Sequence, residues 1–124
     1  MKLRCTTNSI RVRIRRTEMA TFLREGAVTD QVHFPDGMVF RFSLRESKSV
    51  AQLTASLEDH TLIVWVPPAF AKKWTSTDQV GLETKLDLPG QTGKLHVLVE
   101  KDFPCLHRPQ EDKSDTFTEL APEE

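Results

Sequence analysis

The sequence predicts an α+β fold built as a tandem duplication of a βαββ unit, and three observations carry that expectation. An ungapped offset of 52 residues lays Ile10, Val12 and Ile14 onto Leu62, Val64 and Val66, Phe22 onto Trp74, and Val28 onto Val80. An offset two residues longer brings Val32, Phe34 and Pro35 onto Leu86, Leu88 and Pro89, and one residue more brings Phe40, Phe42 and Leu44 onto Leu95, Val97 and Val99. The recurring positions are apolar while the polar ones between them change, as a shared core requires and a shared site does not. The expected layout is copy one at residues 8–44, a bridging strand within 45–58 that belongs to neither copy, and copy two at 59–103. Together they form one globular domain, residues 1–109, closing a small barrel or sandwich, with a disordered acidic tail at 110–124.

Each element has a local reason. Ser9 to Arg16 alternates strictly, Ile10, Val12 and Ile14 on one face and Arg11, Arg13 and Arg15 on the other, which is a half-buried strand. Thr17 is placed to cap a helix, Glu18 suits its first turn, Met19, Phe22 and Leu23 form its apolar stripe, and Gly26 stops it. That helix is barely two turns long and needs a buried stripe to persist. Val28, Val32 and Phe34 share one face of the next strand, and Pro35-Asp36-Gly37 turns it back into Met38, Phe40, Phe42 and Leu44. The bridging strand is expected from Val50 to Leu57, with Ala51, Leu53, Ala55 and Leu57 in phase. In the second copy Pro67-Pro68 opens the helix, Phe70 and Trp74 cover the core, Val80 to Leu88 alternates, and Leu95, Val97 and Val99 pack the last strand.

A chain of 124 residues supports one modest core, and 38% hydrophobic with 28% charged residues is an ordinary globular composition. No apolar run approaches the roughly 18 residues that cross a bilayer, and Met1 to Asn8 lacks the apolar stretch of a signal peptide, so the expected location is cytoplasmic with no membrane partner. Cys5 and Cys105 form no CxxC pair and are expected as free thiols. Charge is uneven. Residues 1–25 hold seven Lys/Arg against Glu18 and Glu25, while residues 110–124 hold six acids against Lys113.

The chemistry-bearing residues are few. Cys105 and His107, with Arg108 adjacent, suit a reactive thiol or a partial metal site, but zinc needs two further ligands and no spacing supplies them, although Cys5 and His60 are available. Glu100 and Asp102 share a strand face at acid–base distance without a nucleophile or phosphate loop beside them. His33, His60 and His96 stand singly as surface imidazoles. No catalytic residue, metal or cofactor is therefore assigned. Arg11, Arg13 and Arg15, with Arg16, are the strongest functional candidates, since a row of guanidinium groups suits phosphate contacts; the alternative is that their heads pair with Glu83, Asp87 or the acidic tail. The aromatics fall mainly at core phases, which argues against an exposed platform for base stacking.

Two resemblances follow from these residues. Asn8-Ser9-Ile10-Arg11-Val12-Arg13-Ile14, a short helix, then Asp36-Gly37 in a hairpin resembles the AbrB/MazE type of swapped-hairpin DNA-binding domain, and Leu62 to Pro67 with Asp78-Gln79-Val80 repeats the pattern without the basic residues. That resemblance implies DNA as a partner of Arg11, Arg13, Arg15 and Arg16, with the acidic tail as an intramolecular competitor. Val99-Glu100-Lys101-Asp102-Phe103-Pro104-Cys105-Leu106, followed by an acidic tail containing Asp115-Thr116-Phe117, is similar to an uncharacterised family of small bacterial proteins, a domain of unknown function. That family brings no activity, and the expected function is a non-enzymatic protein-interaction module whose partner is another protein.

Overall fold

The computed structural model describes residues 1–90 and 92–102. Within them the order is β1 (Lys2–Thr6), β2 (Ser9–Ile14), α1 (Arg16–Glu25), β3 (Ala27–His33), β4 (Val39–Glu46), β5 (Thr54–Glu58), β6 (Thr61–Val66), α2 (Pro68–Ser76), β7 (Gly81–Asp87) and β8 (Lys94–Lys101). The strands form two four-stranded sheets, A in the order β1-β2-β8-β7 and B in the order β3-β4-β6-β5, and no barrel closes. Both sheets have antiparallel outer pairs and a parallel central pair, β2 with β8 and β4 with β6. Each sheet therefore takes one hairpin from each half of the chain.

The pairing registers of the two sheets correspond. Ile10 lies opposite Val97 and Val12 opposite Val99 in sheet A, as Leu62 lies opposite Phe42 and Val64 opposite Leu44 in sheet B. Outside these, Leu3 pairs with Val12 as Ala55 pairs with Val64. Asp102 N–H donates to Ile14 O at 2.8 Å, and Ser47 N–H donates to Val66 O at 3.0 Å, extending each central ladder by one residue.

Several sequence expectations are corrected here. The expected bridging strand begins later, at Thr54 rather than Val50, and pairs antiparallel with β6 as β1 pairs with β2. β1 was not foreseen: in Lys2–Thr6 only Leu3 packs on the core, and an edge strand of five residues is specified by its partner more than by its own pattern. Val28 corresponds in register to Leu82, which faces Val99 as Val28 faces Leu44, whereas Val80 precedes β7 and is exposed. Gly81 opens β7 because an added Cβ would lie 2.6 Å from Val99 O.

The core joins both sheets. Val12 and Ile14 of β2, Leu44 of β4, Val64 and Val66 of β6, and Val97 and Val99 of β8 form one cluster. The helices close it with Phe22 and Trp74, whose rings meet edge to face at 6.3 Å and 66°. The Trp74 indole N–H donates to Val80 O at 3.0 Å, which satisfies the donor of this buried ring. Leu23 and Phe70, expected on the buried stripes, face solvent; Phe22 alone is buried in α1, and Ala71 joins Trp74 in α2.

The α1 cap also differs from expectation: Arg15 rather than Thr17 is the N-cap, and Glu18 reaches back to accept the Arg15 N–H at 2.8 Å. The Met1 amino group pairs with the same carboxylate and lies 3.3 Å from Asp30 Oδ2. Burial by itself raises the Glu18 pKa, but hydrogen bonds from the Met1 ammonium and the Arg15 amide, with their charges, outweigh it and hold the carboxyl below its ordinary value of 4.5.

Two stability outcomes are expected. Trp74→Ala removes the largest buried side chain and should cost about 3–5 kcal/mol in urea unfolding. A lowered folded-state pKa stabilises the fold above the unfolded value and loses that stabilisation as pH falls through the folded value. The gap in unfolding midpoint between wild type and Glu18→Gln should therefore be largest at neutral pH and shrink below pH 4.5.

Candidate functional site

The outer face of sheet A gathers the arginines singled out by alternation, because Arg11 and Arg13 point away from Val12 and Ile14. β1 adds Lys2 beside Arg13 and Arg4 beside Arg11, and Lys2, Arg4, Arg11 and Arg13 border a shallow cleft of about 150 Å³. The parallel neighbour β8 places Glu100 opposite Arg13, and Nε of both Arg11 and Arg13 lies 3.4 Å from Glu100 Oε1. Arg15 is turned to Glu18 at 3.5 Å, off the sheet face. Arg16 is exposed and borders a cavity of about 370 Å³ between the start of α1 and the end of α2, together with Arg15, Thr77, Asp78, Lys101 and Asp102.

Glu100 and Asp102 are thus both engaged. Glu100 serves the two arginines, and Asp102 lies 3.1 Å from Lys2 Nζ. His96 Nε2 lies 3.2 Å from Glu83 Oε1 without the alignment of a hydrogen bond. His33 meets the Gln31 amide at 3.0 Å, and His60 occupies the β5–β6 turn with φ 62°. Cys5 is an exposed free thiol. Cys105, His107 and the acidic stretch 110–124 lie outside the described residues. Among the described residues no three His, Cys, Asp or Glu side chains stand close enough to hold a metal ion, and no helix is long and apolar enough to cross a membrane.

A second cluster, on the outer face of sheet B, was missed by sequence reasoning. Trp65 falls out of phase with Leu62, Val64 and Val66, so it stands on the opposite face of β6 from the core, where β4 places Arg45 beside it. The Arg45 guanidinium carbon lies 5.8 Å from the Trp65 ring centroid, and its Nε donates to Ser43 Oγ at 3.0 Å. The Trp65 indole N–H donates to Ser56 Oγ at 2.9 Å. Between these residues Ile63, outward by register, is only 4% exposed. The legible signal was the position of Trp65 in the alternation; it was masked because Leu62-Ile63-Val64-Trp65-Val66 is apolar at both phases.

A third feature is apolar. Val32, Phe34 and Met38, each 45–48% exposed, flank the turn of the β3–β4 hairpin, and Phe40 next along β4 stacks on Phe42 at 6.1 Å. The corresponding pair in sheet A, Leu86 opposite Leu95, packs against the core instead.

Among the described residues these are surface arrangements, and comparison with known proteins adds no activity to them. No curated protein and no solved structure matches the chain. A family model does, over residues 1–121, which takes in both hairpins of both sheets and the Val99 to Leu106 motif. The chain belongs to DUF7009, a family of unknown function.

Proposed function

We propose that this chain is a non-enzymatic, cytoplasmic protein-interaction module whose partner covers the end of the β3–β4 hairpin. The observation that carries the reading is the contrast between the halves: where Leu86 and Leu95 are packed on the core, Val32 is 45% exposed and is joined at the hairpin end by Phe34 and Met38. Three large apolar side chains bared within seven residues are a feature that protein partners cover. β3 is also an edge strand, with free main-chain groups that a partner strand satisfies. The matched registers further support the reading of the two halves as copies of one unit, with the working surface differentiated between them.

None of Val32, Phe34 and Met38 belongs to the core cluster, so replacing all three with Ser should leave the unfolding midpoint nearly unchanged. The same variant should lose association, read by sedimentation over a wide concentration range for self-association and by cross-linking in native extract for another protein. A wild-type chain that stays monomeric and cross-links no more than the variant would falsify this reading.

A second reading rests on Lys2, Arg4, Arg11 and Arg13 standing together on sheet A, with Arg15 and Arg16 beyond the end of β2, as a face for DNA phosphates. Glu100 holds two of these cations, so Glu100→Gln should tighten DNA binding several-fold at low salt. Unchanged affinity in a duplex titration removes this reading.

A further inference from the structure

The outer face of sheet B carries an arrangement that the interaction reading does not use. Ser43, 3% exposed, is fixed by Thr29 Oγ1 at 2.8 Å and by Val28 O at 3.3 Å, and it accepts the Arg45 Nε–H. That bond and the Trp65 ring set the orientation of the Arg45 guanidinium, leaving the N–H groups of its two terminal nitrogens to point elsewhere. Arg41 lies four residues along the same strand, so it projects from the same face about 13 Å away. Among the described residues neither Arg41 nor Arg45 has a carboxylate within ion-pair distance. The acid on this face, Glu58, lies two strands from Arg41 and accepts the Ser56 hydroxyl at 2.7 Å.

We propose that this face binds single-stranded nucleic acid, with a base stacked on the Arg45–Trp65 pair and backbone phosphates held by Arg45 and Arg41. Charge selects the ligand first. Two arginines without acids call for an anion, and a preset guanidinium fork matches the oxygens of a phosphate. Shape selects it further, because an indole ring with a guanidinium carbon 5.8 Å from its centroid puts two flat π groups side by side, which suits a nucleobase and gives an acidic peptide nothing to stack. A duplex hides its base faces, so the strand is single. Thr61, opposite Arg41 on the same face, adds a hydroxyl for a sugar or base edge.

The test is a fluorescence titration of the full chain with a short oligothymidylate. Trp65 should be quenched, and a Trp65→Phe variant, left with the buried Trp74, should show no quenching and weaker binding. Arg45→Ala should weaken binding at least tenfold. Arg45→Lys keeps the charge and the stem over Ile63, and should still weaken it severalfold because the fork and the stacking plane are gone. Each arginine lost from this face should lower the slope of log K against log salt by about 0.7. An Arg24→Ala variant, which removes an exposed cation from α1 and from neither sheet face, should bind as wild type does. Absence of saturable binding overturns the proposal, as does a loss confined to an Arg11→Ala/Arg13→Ala double variant, equal affinity for a duplex of the same length, or displacement by polyglutamate as readily as by unlabelled oligonucleotide.

Discussion

The parallel central pair of each sheet is the constraint from which the rest of the structure follows. β2 and β8 are joined across almost the whole described chain, and β4 and β6 across the middle of it, so each sheet is completed only when both halves are present. Parallel neighbours cannot be linked by a tight turn, and the loop-closure entropy of these distant pairs must be offset by burial at the seam. The core residues are arranged accordingly: Val12 with Val99 and Leu44 with Val64 are register partners across the two seams, and all four are buried. Phe22 and Trp74 then meet between the helices, so the two halves share one cluster rather than owning one each.

A parallel pair usually has both faces covered, and among the described residues no helix lies on the outer faces of β2/β8 and β4/β6. The chain covers them with long side chains instead. On sheet A Arg11 stands opposite Leu98 and Arg13 opposite Glu100, and both reach that carboxylate; on sheet B Arg45 and Trp65 stand next to Ile63, which is 4% exposed. The arginines that sequence reasoning singled out for function therefore also serve as cover, an amphipathic use of the side chain that alternation alone does not separate from ligand contact.

What was legible in the sequence was whatever is specified locally. Strict alternation placed β2 and β4, Gly26 with φ 74° ended α1, and Pro68 opened α2. What escaped was specified at a distance. β1 is an edge strand of five residues whose existence depends on β2, the start of β5 fell at Thr54 rather than Val50, and the helical stripes were drawn too wide because each helix rests on the core with a single turn's width, leaving Leu23 and Phe70 outside. The same divide runs through the candidate site. The Arg11 and Arg13 stripe could be read directly, but Glu100 is 87 residues from Arg13 and comes beside it only through the β2–β8 register.

The sharpest difference between the halves sits at one pair of corresponding positions. Arg13 opposite Glu100 in sheet A occupies the place that Trp65 opposite Arg45 occupies in sheet B, judged from the registers through Val12/Val99 and Val64/Leu44. In the first pair a cation meets a carboxylate that it shares with Arg11, so the local positive charge is reduced. In the second a cation meets a ring, which orients the guanidinium and screens apolar surface but leaves the full positive charge in place. Either pair covers the sheet, so packing alone does not distinguish them. An ion pair reduces the attraction for an outside anion, whereas a cation–π pair leaves the charge uncompensated, so one backbone position carries two electrostatically different ways of covering a sheet.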